Sequence, residues 1–424
     1  MTPPTPRIAI IGGGPAGLTL GLLLHKLNIT STIFELRQKP TDDELAKPSG
    51  MLDLHEESGL AAIREAGLYN HFLQLTGECS EAQIVANKDG IILYTDQGEL
   101  SERPEISRHA LTALLTSHLP PGCIKYGYKL LSVSVSPSET TTTLNFGPNG
   151  THSFDLVIGA DGAWSRVRNI LSPTKPHYAG TQMLLTTVPN LTATHPHLAA
   201  LIGQGSFSAL GLRHGIMTQR GANASARIMT FLSIPDEHFA SSAGLLAANG
   251  SNAEAVKNRL LTDETLLGSF GESLKELVSV ACDEEVKFQS SSSTSTGSAA
   301  RVDIKPLYTL PTDSSFAHCE SAAVTLIGDA AHLMCPWAGE GVNLAMWDSL
   351  LLSRAIGTAY HGSRGQDVAS FLAGLHPLLR SFESDMFART GEKAEETAAN
   401  GRMLFGEDGA QAFKAFFESV YGEQ

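Results

Sequence analysis

The sequence predicts an α/β protein with a parallel sheet, built around a Rossmann-like β-α-β unit at its start. Three observations predict this fold. The four apolar residues Ile8–Ile11 are typical of a buried strand. A Gly-x-Gly-x-x-Gly spacing at residues 12–17 follows directly and opens an apolar helix that runs through Leu24. A second strand then ends at Glu35, at the distance expected for the acidic residue of a dinucleotide-binding unit.

Each glycine of this turn has a separate role in such a unit. Gly12 permits the tight turn, Gly14 lets the backbone approach a pyrophosphate, and Gly17 lets helix and strand pack closely. The helix start at Pro15 and Ala16 then faces the phosphates, because a helix N-terminus attracts negative charge. The alternative is a glycine turn in an unrelated α/β protein.

Polar residues after the second strand extend the predicted site. Glu35 suits a pair of ribose hydroxyl groups, and Leu36 and Arg37 follow it. Arg37 either reaches a phosphate or the adenine edge, or it is a solvated loop arginine. Asp53, between two leucines, is either a loop cap or a polar contact to a ligand.

Ser107 is a predicted helix N-cap, so Arg108 lies in the first turn of the following helix. A cation at this position opposes the helix dipole, which favours a ligand that compensates its charge. The alternative is a surface arginine.

Two later segments repeat the pattern of a buried strand that ends in a turn of small residues. At residues 156–162 the strand ends in Gly-Ala-Asp-Gly, where Asp161 either contacts a ligand or caps the turn. At residues 324–329 the strand ends at Asp329, which suits a polyol hydroxyl group. A Gly-x-Gly-x-Asn loop at 339–343 then opens a helix whose N–H groups stabilise negative charge.

One histidine follows this third turn. His332 has no obvious partner in the sequence, and a structural hydrogen bond is favoured over a catalytic role for it.

Length and composition limit the class of protein. A chain of 424 residues is too long for one ordinary core and predicts two or three domains. The net charge of −14 disfavours nucleic acid and anionic membranes as partners. The sequence shows no apolar run of membrane-spanning length, no signal peptide and no metal-type spacing among its five cysteines. We therefore expect a cytoplasmic, metal-free and monomeric protein.

The middle of the chain predicts a different architecture. From about residue 178, short strands separated by Gly, Asn and Pro predict a largely antiparallel sheet with no chemistry of its own, which we assign to the substrate. The predicted units are a discontinuous cofactor-binding domain (1–75, 97–177 and 302–357), a substrate-binding domain (76–96 and 178–301) and a helical segment (358–424).

Taken together, the three glycine-rich segments resemble those of the class A flavoprotein monooxygenases. The resemblance rests on Gly-x-Gly-x-x-Gly with Glu35, on Gly-Ala-Asp-Gly with Ser165 and Arg168, and on Gly-Asp-Ala-Ala-His with Pro336 and Gly339-x-Gly341-x-Asn343. Within this family the sequence is most similar to the tetracycline-inactivating monooxygenases, through residues 49–55, 103–108 and 328–334. The resemblance implies a glutathione-reductase-type FAD-binding domain, a mixed β-sheet substrate domain and a bridging C-terminal helix at about 366–400.

The resemblance also implies non-covalent FAD along one extended site. Glu35 would take the adenosine ribose, Arg37 the adenine side and Asp329 the ribityl chain or pyrophosphate, with Asp53 beside the flavin. Arg108, on the flavin side, is the catalytic candidate. The cofactor-binding positions are Gly12, Gly14, Pro15, Ala16, Gly17, Glu35, Leu36, Arg37, Asp53, Arg108, Asp161, Gly328, Asp329, Pro336, Gly339, Gly341, Val342 and Asn343.

Substrate-facing positions are implied with less detail. The loop of residues 336–343 would pack against the isoalloxazine ring, and Trp337 would narrow the pocket. The substrate-binding candidates are Trp337, Arg213 and Arg227.

The implied activity is an FAD-dependent monooxygenase that uses NADPH or NADH and O₂ to hydroxylate a polycyclic or aromatic small molecule through a C4a-hydroperoxyflavin. Tetracycline is one candidate substrate. The alternative, a natural-product hydroxylase or epoxidase that acts on an aromatic or alkaloid substrate, would share every FAD residue. A flavin reductase or halogenase and a nucleotide-binding regulatory protein are more distant alternatives. The single dinucleotide motif agrees with transient binding of the nicotinamide.

Overall fold

The computed structural model describes residues 5–76, 82–98, 104–135, 140–246, 252–290, 301–311, 316, 323–363 and 367–421. Cys79, Arg103 and Cys319, which the sequence analysis used, lie outside these residues. Two sheets dominate the described part of the chain, and helices pack on both of them.

The described strands are β1 (Ile8–Ile11), β2 (Thr32–Glu35), β3 (Met51–Asp53), β4 (Gln83–Asn87), β5 (Ile92–Asp96), β6 (Glu105–Ser107), β7 (Ile124–Tyr126), β8 (Ser132–Val135), β9 (Thr142–Asn145), β10 (Thr151–Phe154), β11 (Leu156–Gly159), β12 (His177–Val188), β13 (Ser206–Gly211), β14 (His214–Arg220), β15 (Ala226–Ser233), β16 (Ile304–Thr309) and β17 (Ala323–Leu326).

The described α-helices are α1 (Pro15–Lys26), α2 (Asp42–Leu45), α3 (Gly59–Glu65), α4 (Tyr69–Leu73), α5 (Arg108–Ser117), α6 (Arg168–Leu171), α7 (Leu191–Thr194), α8 (Pro196–Ile202), α9 (Phe239–Ser242), α10 (Ala253–Thr262), α11 (Glu272–Ser290), α12 (Asp329–His332), α13 (Gly341–Gly362), α14 (Val368–Leu404) and α15 (Gly409–Tyr421). Short 3₁₀ turns lie at Gly147–Asn149, Ala222–Ala224 and Pro336–Ala338.

A five-stranded parallel sheet with the order β17-β11-β1-β2-β7 forms one half of the molecule. Its central strands β1 and β11 are fully buried, which explains their unbroken apolar sequence. The sheet confirms the predicted α/β fold. The sequence of residues 123–157, with short strands and an Asn149-Gly150 turn, predicts a continuous meander; this is wrong in part, because β7 joins the parallel sheet while β8, β9 and β10 form a separate antiparallel sheet.

The turn after β1 depends on Gly12. Its φ of +112° lies in the region that favours glycine, and a methyl group at this position would overlap the carbonyl group of Ala160. The close approach of β1 to the chain that leaves β11 therefore requires a glycine.

A seven-stranded sheet with the order β16-β12-β15-β14-β13-β4-β5 forms the second half. The turn residues Asn87-Lys88-Asp89-Gly90 predict a hairpin over 82–96, and β4 and β5 form it; the sheet is mixed because β13 pairs in parallel with β4. β16 lies within the stretch 302–357 that we assigned to the cofactor-binding domain, yet it pairs with β12 in this sheet. The exact domain boundaries therefore stay a prediction.

The C-terminal helices contact both halves. α14 packs against α13 and β17 of the parallel-sheet half, and α15 packs against β4, β5 and β13 of the seven-stranded sheet. This arrangement agrees with the predicted bridging segment. Within the described residues, none of the helices combines the length and apolar character needed to cross a membrane.

Candidate cofactor-binding and active site

The N-terminus of α1 is open. Gly14 is its N-cap, no side chain hydrogen-bonds to this end, and a methyl group at Gly14 would meet no atom within 4 Å. Pro15 occupies the first helical position and costs the helix no hydrogen bond there. The backbone of this turn is therefore accessible to a diphosphate.

Glu35 ends β2 and is held in place beside this turn. Its Oε2 accepts a hydrogen bond of 2.7 Å from the Gly13 N–H, and its Oε1 accepts one of 2.8 Å from Arg37 Nε. Burial alone would raise the pKa of Glu35, but the hydrogen bonds from Arg37 and Gly13 leave the pKa lowered. The carboxylate is thus ionised and ordered, while Leu36 is exposed.

A second turn, at Gly328 and Asp329, lies between the starts of two helices. Gly328 packs closely against both helices. A methyl group on its Cα would lie 3.4 Å from the Cβ atom of Ala16 in α1 and 3.2 Å from the Cβ atom of Ala345 in α13. The Asp329 side chain is exposed at this point. The surrounding protein still desolvates its carboxyl group and raises its pKa.

His332 and Asp348 hold this turn from behind. Asp348 Oδ2 accepts hydrogen bonds from the Gly328 N–H at 3.0 Å and from His332 Nε2 at 2.6 Å. Burial opposes a charge on His332, but the Asp348 carboxylate outweighs it and raises the pKa of the imidazole. The expected structural hydrogen bond of His332 is present.

Arg108 is the first residue of α5, as predicted, and Ser107 is the N-cap that accepts a hydrogen bond from Ala110 N. The Arg108 N–H donates to the carbonyl oxygen of Gly50 at 2.9 Å. Desolvation lowers the pKa of its guanidinium, against the attraction of Asp329. Repulsion by Arg37 lowers this pKa further, so both Arg37 and Asp329 act electrostatically on Arg108.

Asn343, in the first turn of α13, joins that helix to the strand that carries Asp53. Its Nδ2 donates to the Asp53 carbonyl at 2.9 Å, and its Oδ1 accepts from the His55 N–H at 2.9 Å. Asn343 is fully buried, so these bonds are shielded from water. We use the name cofactor cleft for the predicted cofactor-binding site to which Glu35, Arg108, Asp329, Asp53 and Gly341 belong.

The segment before α13 is an exposed turn. Pro336 and Gly339 are exposed, and Gly339 has a φ of +70°. No side chain caps the N-terminus of α13, and a methyl group at Gly341 would meet nothing within 4 Å. Val342 is half-buried against the core. The start of α13 is thus a second accessible helix N-terminus.

Asp161 caps its own turn. Its Oδ1 accepts a hydrogen bond of 2.5 Å from the Ser165 hydroxyl, and its Oδ2 accepts one of 2.8 Å from the Arg166 N–H. Of the two alternatives left by the sequence, these bonds favour the turn cap. Arg168 donates to the carbonyl oxygens of Ala330 and Ala163, which ties this turn to the Asp329 turn.

The structure does not bring the two substrate-binding arginines together. Arg227 lies in β15, donates to Thr187 Oγ1 at 2.9 Å, and lines a small surface depression together with Ser49 and Met51. Arg213 lies beyond the other end of β14, exposed, with its Nε 3.6 Å from Glu407. This position gives no support to a substrate role for Arg213.

Trp337 joins the cofactor cleft to the seven-stranded sheet. Its ring packs edge-on against Phe231 and Phe405, with centroids 4.7 Å and 4.8 Å apart. The same apolar cluster includes a surface that we call the methionine face, which consists of the buried Phe231 and the partly buried Met183, Met217, Met229 and Leu307. The sequence analysis missed this face, because methionines scattered over three strands form no local motif.

Sequence reasoning also missed four charged residues around the cleft: His55, Glu340, Asp348 and Lys393. The sequence does contain a signal for His55. In the extended stretch of residues 52–55, the side chains of Asp53 and His55 fall on the same side, because the side-chain period is two.

The cofactor cleft fits a flavin adenine dinucleotide. Two uncapped helix N-termini, at Gly14 and Gly341, leave backbone N–H groups for anionic groups, and Arg108 adds a positive charge. The carboxylates of Glu35 and Asp329 are acceptors for ribose and polyol hydroxyl groups. The fold and this cleft together define a dinucleotide-binding flavoprotein.

Comparison with known proteins identifies the family. A model described as "FAD binding domain" matches residues 5–370, and the chain belongs to this family. It is 32% identical to monooxygenase penA of Penicillium thymicola, over 97% of this chain and 98% of that protein. It is 30% identical to monooxygenase asqM of Emericella nidulans, with the same coverage. The protein is therefore an oxidoreductase of the flavoprotein monooxygenase class.

Solved structures confirm the fold. HpxO of Klebsiella pneumoniae, in complex with FAD and uric acid, matches with a TM-score of 0.70 and 16% identity, over 99% of this chain and 93% of that one. The tetracycline destructase Tet(55) matches with a TM-score of 0.59 and 17% identity, over 96% and 98%. The likeness to tetracycline destructases is thus one of fold, whereas the two relatives named above come from fungi.

Proposed function

We propose that the protein uses NADPH or NADH and O₂ to hydroxylate a polycyclic or aromatic small molecule that lies between the cofactor cleft and the methionine face. The observation that carries this proposal is the half-buried methionine face, which Trp337 connects to the loop at the start of α13. Methionine side chains adapt to irregular apolar shapes and contact aromatic rings favourably. Such a surface suits a flat apolar substrate.

The chain's own residues bind and orient in this scheme. FAD, when bound, supplies the electron transfer from the nicotinamide and the activation of O₂. Glu35 and Asp329 would hold its hydroxyl groups, and the N-termini of α1 and α13 its anionic groups. Arg108 stabilises negative charge from its position beside Asp329. The apolar wall around Trp337 keeps water out of the substrate space.

Arg227 would give the substrate its orientation. Desolvation lowers the pKa of its guanidinium, with Glu285 as an attracting neighbour and Arg108 as a repelling one. A partly buried cation beside an apolar face favours a substrate that carries an enolate, phenolate or carbonyl oxygen at one end. Among aromatic substrates we favour a natural product of the hydroxylase or epoxidase type over tetracycline, because the tetracycline destructases share only the fold.

The test measures NADPH and NADH oxidation by the holoenzyme with tetracycline and with a panel of phenolic and indolic compounds. We expect at least one compound of the panel to speed oxidation and to gain one oxygen by mass spectrometry. Coupled oxygenation of tetracycline alone would instead favour inactivation of that drug. No stimulation by any of them would contradict the proposal.

A matched pair of variants tests the orientation of the substrate. Arg227→Gln should raise the KM for the accepted compound by about tenfold or more, because a hydrogen bond from a charged group is lost. Arg213→Gln, at an exposed arginine beside Glu407, should leave KM unchanged. Equal KM values in the two variants would remove Arg227 from the substrate site.

A further inference from the structure

His55 lies between two carboxylates at the flavin end of the cofactor cleft. Its Nε2 is 3.4 Å from Asp53 Oδ2, and its Nδ1 is 3.4 Å from Glu340 Oε2. The imidazole is only 13% exposed, so water screens these contacts little. Both ring nitrogens therefore face an acceptor, which a histidine satisfies fully only when it carries a proton on each.

The cluster continues to the C-terminal helix. Lys393 Nζ of α14 lies 2.7 Å from Glu340 Oε1, and it also contacts Glu396. The charged groups around His55 are thus Asp53 from β3, Glu340 from the turn before α13, and Lys393 from α14. Charges alternate along this row from the cleft to the surface.

The electrostatics agree with a charged imidazole. Hydrogen bonds to Asp53 and Glu340 raise the pKa of His55 to about 9, although burial alone would lower it. Burial alone would raise the pKa of Glu340, but His55 and Lys393 leave it lowered. At neutral pH the imidazolium separates two carboxylates that would otherwise repel each other.

The position of this cluster connects it to the cofactor. Glu340 directly precedes Gly341, the uncapped start of α13, and Asp53 is a predicted cofactor contact. Asn343 fixes the backbone of both segments by its two hydrogen bonds of 2.9 Å. The His55 side chain is thus not needed to form the local backbone, and its charge is free to act on the relative position of the two carboxylates.

We propose that His55 is a positioning residue for the bound flavin: its imidazolium holds the side-chain carboxylates of Asp53 and Glu340 in place at the flavin end of the cleft, and FAD binds tightly only while that charge is present. This inference rests on the assignment of this end of the cleft to the flavin ring. This role of His55 is separate from the roles of the glycine turns and of the methionine face.

The test measures FAD affinity by flavin fluorescence, on protein stripped of FAD, from pH 6.5 to pH 10. In the wild type we expect the Kd to rise about tenfold above pH 9, as His55 loses its proton. His55→Gln should bind FAD about tenfold more weakly at pH 7.5, with no further loss up to pH 10. Glu340→Gln should move the wild-type midpoint to lower pH, because one of the two carboxylates that hold the proton is gone.

Two variants complete the design. His55→Lys keeps a positive charge and should retain tight binding to higher pH than the wild type does. His197→Gln removes an exposed histidine that contacts Glu276 at 3.0 Å, and it should behave like the wild type. If His55→Gln does not fold, the midpoints of Glu340→Gln and His55→Lys decide the question.

Wild-type pH dependence in His55→Gln, or an unmoved midpoint in Glu340→Gln and His55→Lys, would overturn the inference. These measurements need no substrate. If FAD affinity falls with pH as expected for His55 but no aromatic compound is oxygenated, only the proposed function is contradicted. If an aromatic compound is oxygenated but FAD affinity does not depend on His55, only this inference is contradicted.

Discussion

The cofactor cleft and the methionine face are built in opposite ways. The cleft uses backbone atoms at tight turns, at Gly12, Gly14 and Gly328, with a few carboxylates held by hydrogen bonds. The methionine face uses side chains from separate strands and no tight turn. A rigid backbone surface thus suits a cofactor of one fixed shape, and flexible side chains suit substrates that differ in shape.

This difference predicts unequal tolerance to mutation. At Gly12 in the cleft, one added methyl group meets backbone that cannot move, whereas on the methionine face a change of shape is absorbed by neighbouring flexible side chains. Substitutions of similar size in the two regions therefore measure the contrast directly.

The largest effect is expected at Gly12. Gly12→Ala places a methyl group against the carbonyl of Ala160 and strains a residue with a φ of +112°. We expect a loss of about 3 kcal/mol or more of unfolding free energy. Urea unfolding followed by circular dichroism measures it. Wild-type stability in this variant would show that the turn is not rigid.

Gly14→Ala is the matched variant two residues away. Its methyl group meets no protein atom within 4 Å, and the backbone φ of −81° suits alanine. The FAD-free protein should keep its stability, while the Kd for FAD rises about tenfold to a hundredfold, because the methyl group lies where the diphosphate approaches. Titration of FAD-free protein measures this. Unchanged FAD affinity would place the diphosphate elsewhere.

The buried carboxyl group of Glu383 in α14 makes the unfolding free energy depend on pH. Burial raises the pKa of this carboxyl group to about 7, although Thr325 Oγ1 donates a hydrogen bond of 2.6 Å to it. The native state therefore favours the protonated form, and stability is lost as pH rises towards and through 7. Glu383→Gln should be more stable than the wild type at pH 8, by on the order of 1–3 kcal/mol.

The advantage of Glu383→Gln should vanish towards pH 4, where the wild-type carboxyl group is protonated in both states. Urea unfolding at the two pH values checks both statements. A variant less stable than the wild type at pH 8 would show that the ionised carboxylate is compensated in the fold.

The smallest effect is expected on the methionine face. Met229→Leu keeps the side-chain volume and should cost less than about 1.5 kcal/mol of unfolding free energy. FAD affinity should stay unchanged, and KM for an accepted substrate should shift only a few-fold. Steady-state kinetics and urea unfolding measure these quantities. A loss of folding as large as that of Gly12→Ala would remove the contrast between the two regions.

The sequence predicted the backbone turns of the cofactor cleft, because such turns require glycine, while the cofactor contacts of the individual side chains stay a prediction. The sequence predicted the glycine turns at residues 12–17 and 328–329, and the N-cap Ser107 predicted the helix start at Arg108. It did not predict contacts between segments that are far apart in the chain. Asp53 and Asn343, 290 residues apart, share a hydrogen bond that no local spacing reveals.

The same physical limit explains the weaker substrate prediction. Arg213 and Arg227 looked alike in the sequence, but opposite ends of β14 and β15 separate them. Strand pairing decides which residues share a pocket, and it depends on contacts across the whole sheet. The role of Asp348, which supports the Asp329 turn from one turn of a buried helix, was invisible for the same reason.

Helix α14 makes polar contacts with the parallel-sheet half and with the loop before α13. Thr325 donates to Glu383, Arg389 lies 3.6 Å from Asp348, Lys393 contacts Glu340, Thr397 contacts Met334, and Asn400 donates to the carbonyl of Trp337. All the glycine turns of the cofactor cleft precede this helix in the chain. A chain cut after α13 would therefore keep every glycine of the cleft but lose all of these contacts.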